Sequence, residues 1–153
     1  METPSFTFRL ERVRSLREQA EDQAREALAQ ELALRVRGEA LLRQAAHAVS
    51  TARETGRDLV SRQGTTGADM IAAQHFIERA DRARREAALD LDRQDAEVEA
   101  SRAKLAVASR DREVISRLEA RQRAEHRREA ARLEQIALDE MALAVHRRGQ
   151  VAA

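Results

Sequence analysis

The sequence predicts an all-α fold: two long helices forming an antiparallel coiled-coil hairpin, with helix 2 longer than helix 1. Three observations carry this. Apart from two isolated glycines, turn-forming Gly and Pro are confined to the two ends and one central site. Apolar residues recur in steps of three and four over most of the chain. Charged residues make up 36% of the sequence yet nearly cancel, to a formal net charge of +1.

Composition agrees. The chain has 153 residues and 42% hydrophobic residues, but 2% aromatics, with no Trp and no Tyr. A globular core of this size usually needs more aromatics, and its chain reversals need more Gly and Pro. Disorder is the rival for a charged, aromatic-poor chain. Here Ala, Leu, Val and Ile fall at regular spacing with helix formers between them, which favours helix. With no cysteine, a disulfide framework and a cysteine-based metal site are both excluded. No apolar run follows the start and no stretch is long enough to span a membrane, so the expectation is a cytosolic protein.

The elements follow in order. Met1 to Ser5 is a polar lead, with Pro4 near the first helical turn, where proline is tolerated. Helix 1 is predicted over about 5–63. Gly64-Thr65-Thr66-Gly67 is the dense turn signal. Helix 2 is predicted over about 68–148, ending at Gly149 behind Arg147 and Arg148. Gly38 and Gly56 sit alone within helical pattern and each costs about 1 kcal/mol relative to Ala. At 1.5 Å per residue the helices are about 90 Å and about 120 Å long, so they must pair with each other or with a partner. The whole chain, 1–153, reads as one hairpin.

Pairing has a seam. In helix 1 it runs through Phe6, Leu10, Val13, Arg17, Ala20, Ala24, Ala27, Glu31, Leu34, Gly38, Leu41, Ala45 and Ala48. In helix 2 it runs through Ile77, Ala80, Arg84, Ala87, Leu91, Gln94, Val98, Ser101, Leu105, Ala108, Arg112 and Ile115. Folding at Thr66 pairs residues whose numbers sum to about 132, which sets Phe6 opposite His126. Residues beyond about Arg127 then overhang as a single helix of about 30 Å. Acid-to-base pairs four apart, such as Asp81/Arg85, Glu113/Arg117 and Glu119/Arg123, support the solvated faces.

Chemistry is not encoded. His47, His75, His126 and His146 form no metal-protease motif; His75 and Glu78 are three apart, but a di-iron bundle draws ligands from four helices. There is no glycine-rich phosphate loop and no nucleophile motif. The chain is therefore read as no enzyme, with no catalytic residues, cofactor, metal or small-molecule substrate. The basic stretch from Arg121 to Arg132 is interleaved with Glu125 and Glu129 and lacks stacking aromatics, which argues against nucleic acid. A solvated face or a contact with complementary charges on a protein partner remains. A second stripe, Leu42, Ala46 and Val49 with Arg53 continuing the spacing, lies beside the seam, and Phe76 adjoins Ile77. It is either a partner surface or the edge of a broad seam.

Three segments resemble one family. The start, Phe6-Thr-Phe-Arg-Leu-Glu-Arg-Val-Arg-Ser-Leu-Arg-Glu, resembles the N-terminus of the flagellar export protein FliJ. Ala73-Gln-His-Phe-Ile-Glu-Arg-Ala resembles the aromatic-containing start of that family's helix 2. Arg128 to Ala142 resembles its E-Q-x-x-x-D-E signature through Glu134, Gln135, Asp139 and Glu140. The resemblance implies a stalk of the bacterial flagellar type III export apparatus, serving flagellum assembly and motility. FliJ-like proteins are similar to the shaft of rotary ATPases; they sit in the pore of the hexameric export ATPase, contact the membrane export gate and help recycle export chaperones. Carried onto this sequence, the ATPase-ring contact is expected at Phe6, Leu10, Val13, Arg127, Arg128, Arg132, Glu134, Gln135, Asp139 and Glu140. The gate contact is expected at Leu42, Ala46, Val49, Arg53, Phe76, Ala80, Ala83 and Ala87. The expected location is the cytoplasm, peripherally bound to the inner face of the membrane at the flagellar base, and the expected state alone is a monomer. A virulence-type III secretion stalk and a generic coiled-coil scaffold are the alternatives.

Overall fold

A computed structural model describes residues 5–151. It contains α1 (Glu11–Ser61) and α2 (Gly67–Val151), of 51 and 85 residues, and no strand among the described residues. The helices pack antiparallel, as a hairpin requires, and the second is the longer. Residues 1–4, including Pro4, lie outside the described residues.

Two boundaries move. α1 starts at Glu11, not Ser5. Residues 5–10 are irregular, closed by a turn in which the Glu11 N–H donates to the Phe8 carbonyl at 3.2 Å. Here Phe6, Phe8 and Leu10 are covered while Ser5, Thr7 and Arg9 are exposed. That alternation of two is the period of extended chain and puts all three apolar side chains on one side. α2 passes through Gly149 to Val151. A glycine lowers helix stability but does not compel a stop.

The connection is held by two threonines with different tasks. The Thr65 hydroxyl lies within donating distance of the carbonyls of Leu59 (2.5 Å) and Arg62 (3.0 Å) at the end of α1, where the Leu59 carbonyl also accepts from the Arg62 N–H at 3.2 Å. Gly64, with φ of +90°, supplies the left-handed residue that the reversal needs. Thr66 caps α2. Its hydroxyl accepts from the Asp69 N–H at 3.2 Å, and the Asp69 carboxylate accepts from the Thr66 N–H at 2.9 Å and hydroxyl at 2.7 Å. This reciprocal box satisfies donors at both residues. The Thr66 hydroxyl, followed by its N–H, holds the Asp69 carboxyl below its ordinary value. That contribution is therefore present above the ordinary carboxylate range and is lost as pH falls through the lowered value. Thr66→Ala is expected to cost about 1 kcal/mol, read as a fall in thermal midpoint of about 2–4 °C.

The chain divides into two compact units. The loop unit spans Asp22–Val107. Its core is small: Val49 (5% exposed), Ala52 (1%) and Val98 (2%). On α2 the covered positions are the expected ones, from Ile77 through Ala80, Arg84, Ala87, Leu91, Gln94, Val98 and Ser101 to Leu105. Cross-helix contacts keep the expected register: Arg35 pairs with Asp95, and Arg53 reaches Asp81 at 4.0 Å.

On α1 half of the expected seam shifts by one residue. Ala24, Glu31, Gly38 and Ala45 are covered as expected, but Leu28, Arg35, Leu42 and Val49 replace Ala27, Leu34, Leu41 and Ala48. Leu34 and Leu41 are 44% and 59% exposed. Both phases alternate steps of three and four, so spacing alone does not separate them. Gly38 has a further use. A Cβ there would overlap Oε1 of Gln94, so the glycine lets the Gln94 side chain lie against the α1 backbone.

The terminal unit takes Met1–Glu21 and Ala108–Ala153, of which residues 5–21 and 108–151 are described. Its seam is ionic. Arg14 donates to Glu119 at 2.9 Å, Glu119 also accepts from Arg123 at 2.7 Å, Arg17 pairs with Asp111 at 2.8 Å, and Glu21 pairs with Arg112. Arg14 and Glu21 stand where Val13 and Ala20 were expected, the same one-residue shift. The side chains of Glu21 and Glu119 are 3% and 12% exposed. Phe6 lies opposite His126 as expected, ring centroids 5.6 Å apart and edge to face, with the Arg123 guanidinium 5.4 Å from its centroid.

Candidate functional site

Every residue expected at the ring contact falls in the terminal unit. Phe6 and Leu10 are half-buried, and Val13 is 36% exposed. Arg127, Arg128, Arg132, Glu134, Gln135, Asp139 and Glu140 are exposed. From Ala131 to Arg148 every side chain except Ala137 is exposed, so this stretch of α2 is a helix without a covering neighbour. It carries Leu133, Ile136, Leu138, Met141, Leu143 and Val145 at 42–65% exposure. These six side chains are spread around the bare helix and are open to contact by a neighbour. Its polar residues are tied locally: Arg132 donates to Glu129 at 2.8 Å, and Gln135 donates to Asp139 at 2.9 Å. The Arg132 guanidinium holds the Glu129 carboxyl below its ordinary value.

The expected gate residues all fall in the loop unit. Arg53, Phe76, Ala46 and Ala83 are exposed, and Arg79 lies over the Phe76 ring at 5.9 Å. Leu42, Ala80 and Ala87 are half-buried and Val49 is buried, all four facing into the seam. The second stripe on α1 is thus in part the seam itself, and the accessible portion is Ala46 and Arg53 with Phe76 and Ala83.

Phe8 is the residue that sequence reasoning missed. It is 6% exposed, among the most deeply covered apolar residues of the described chain. The available signal was the alternation Phe6, Phe8, Leu10, which fits extended chain as well as a helix start.

Part of the basic stretch is paired locally, Arg121 with Glu125 at 2.9 Å, Arg123 with Glu119 and Arg132 with Glu129. His75 Nδ1 lies 3.6 Å from Glu78. Among the described residues no three His, Asp or Glu side chains come together as a metal site, and no helix is long and apolar enough to cross a membrane.

No curated protein matches the chain. Among solved structures, a protein described as a YscO homolog from Chlamydia trachomatis is similar, with 18% identity, a TM-score of 0.47, and coverage of 95% of this chain and 98% of that one. The family model for the flagellar FliJ protein matches residues 6–150, nearly the whole of the helical pattern described above, and the chain belongs to that family of type III export proteins.

Proposed function

We propose that the protein is the stalk-like component of a bacterial flagellar type III export apparatus. In this reading the terminal unit binds the hexameric export ATPase, the loop unit contacts the membrane export gate, and the protein assists chaperone and substrate delivery. It works by contact and not by catalysis, at the cytoplasmic face of the membrane, and is a monomer when alone. The observation that carries the reading is the bare C-terminal stretch of α2. It combines the Glu134-Gln135 and Asp139-Glu140 signature with six exposed large apolar side chains. A lone helix of this length is marginal in water, so a partner that covers it also orders it. The exposed Arg53 and Phe76 support the gate contact in the same way.

The test is ATP hydrolysis by the cognate flagellar export ATPase, with and without this protein. Stimulation is expected, and is expected to vanish on removal of residues 127–153. Ile136→Glu with Met141→Glu should abolish it as well, because charges replace apolar contacts while both positions tolerate polar side chains in the free helix. No stimulation together with no co-elution would leave a coiled-coil scaffold with another partner. Stimulation of a virulence-system ATPase alone would move the protein to that apparatus.

A further inference from the structure

Near the loop, α1 and α2 frame an open groove of about 720 Å³. Leu59, Val60, Met70 and Ile77 line it, with Val60 63% and Met70 47% exposed. Gly56 stands on its α1 wall, where a Cβ would come within 3.2 Å of Ile77 Cδ1. Arg53 and Arg57 line this groove and also a second hollow of about 470 Å³, together with Arg84 and Ser50. An apolar groove and a cationic hollow therefore share two arginines.

Counter-charge is sparse in the hollow. Asp81 lies 4.0 Å from Arg53, 3.3 Å from Arg84 and 2.9 Å from Arg85, so one carboxylate serves three guanidiniums. Arg57 makes a long 3.4 Å bond to the Arg53 carbonyl and pairs with no described carboxylate.

We infer that the groove and hollow together form a docking site for an acidic amphipathic segment of another protein. The segment's large apolar side chains occupy the groove and its carboxylates meet Arg53, Arg57 and Arg84. Guanidiniums hold carboxylates in two-pronged bonds, and an apolar stripe seated between helices is a recurring mode of peptide recognition. An anionic membrane fits less well. The groove is a hollow framed by two helices, which admits one segment and not a flat head-group surface. A segment can place its carboxylates at the arginines alone, where a uniformly anionic surface would also meet the exposed Glu54, Asp58 and Asp69. The site shares Ala46, Val49 and Arg53 with the proposed gate contact. Arg57, Arg84 and the groove residues lie outside that contact, and the inference does not require the gate to be the partner.

The experiment uses the full chain and a fluorescent peptide of about 18 residues, five helical turns, with leucines on one face and glutamates beside them. Two control peptides carry glutamine or lysine in place of glutamate. By anisotropy the acidic peptide is expected to bind at least about tenfold more tightly than the glutamine peptide, and the lysine peptide should fail to saturate. Arg57→Glu with Arg84→Glu should weaken binding about tenfold or more. Val60→Asp, at an exposed position that leaves the seam intact, should do the same, while Arg121→Glu in the terminal unit should change nothing. Circular dichroism confirms that each variant stays helical. Equal binding of all three peptides, no binding, or an unaffected Arg57/Arg84 variant would overturn the inference. So would binding to phosphatidylserine vesicles in place of the acidic peptide. Because the readout is peptide binding, such a failure leaves the ATPase and gate contacts to their own tests.

Discussion

Glu21→Ala is expected to lower the unfolding free energy by about 2–3 kcal/mol, measured by urea denaturation. Glu21 is buried, at 3% exposure, against Arg112, which is 37% exposed. Removing the carboxylate strands a guanidinium that is partly shielded from water. Removing one partner of a fully buried pair costs about 3–5 kcal/mol; the access of Arg112 to solvent brings the expectation below that range. The pair itself is a different matter. Taking both charges out of water offsets much of their attraction, so Glu21→Leu combined with Arg112→Leu should recover the loss or exceed the parent in stability. A neutral Glu21→Ala would mean that the terminal unit is held elsewhere, with Phe8 the first place to look.

Val98→Ala should cost about 2 kcal/mol, since it removes two methyl groups from the best-covered large apolar position of α2 and leaves a void. In a chain of this size that lowers the thermal midpoint by about 4–8 °C. Val107→Ala, at 56% exposure, is the control and should stay within about 0.5 kcal/mol. The same logic separates two adjacent leucines. Leu42→Ala should destabilise measurably, whereas Leu41→Ala, 59% exposed, should not. If the two behave alike, the seam of α1 does not have the phase described above.

That phase is where reading the sequence stopped being sufficient. On α2 the apolar spacing from Ile77 to Leu105 has one good solution, and every position expected there is covered. On α1, Leu34 with Leu41 and Leu42 with Val49 give equally regular patterns. The structure selects the second, in which Arg14, Glu21 and Arg35 also face α2. Hydrophobicity cannot reveal such positions, because an inward arginine or glutamate is satisfied by a partner far away in sequence. Arg112 and Asp95 provide those partners from the other helix. The turn was legible because two glycines and two threonines have few other uses at that density, and its position fixed the pairing that brings Phe6 to His126. The start of α1 was not, since Phe6, Leu10 and Val13 suit a helix as readily as Phe6, Phe8 and Leu10 suit extended chain. As for the candidate surfaces, their placement in one unit or the other followed from position along the helices. Which side chains are accessible depended on the phase, so Leu42 and Val49, expected on a partner surface, turn out to line the seam.

The contrast between the two seams gives the units different responses to temperature. Burial of Val49, Ala52 and Val98 is driven by water, and that drive weakens on cooling. The penalty for desolvating Arg14, Glu21, Arg112 and Glu119 falls on heating, because hydration of charge carries a strongly negative entropy. Warmth therefore favours the ionic half relative to the apolar half, and cold loosens the apolar half first. The two seams thus differ in the balance of terms and not in kind, since Arg35–Asp95 crosses the loop unit and Phe8 is buried in the terminal one, and a growth temperature away from the optimum would be felt first at one set of contacts and not evenly along the protein.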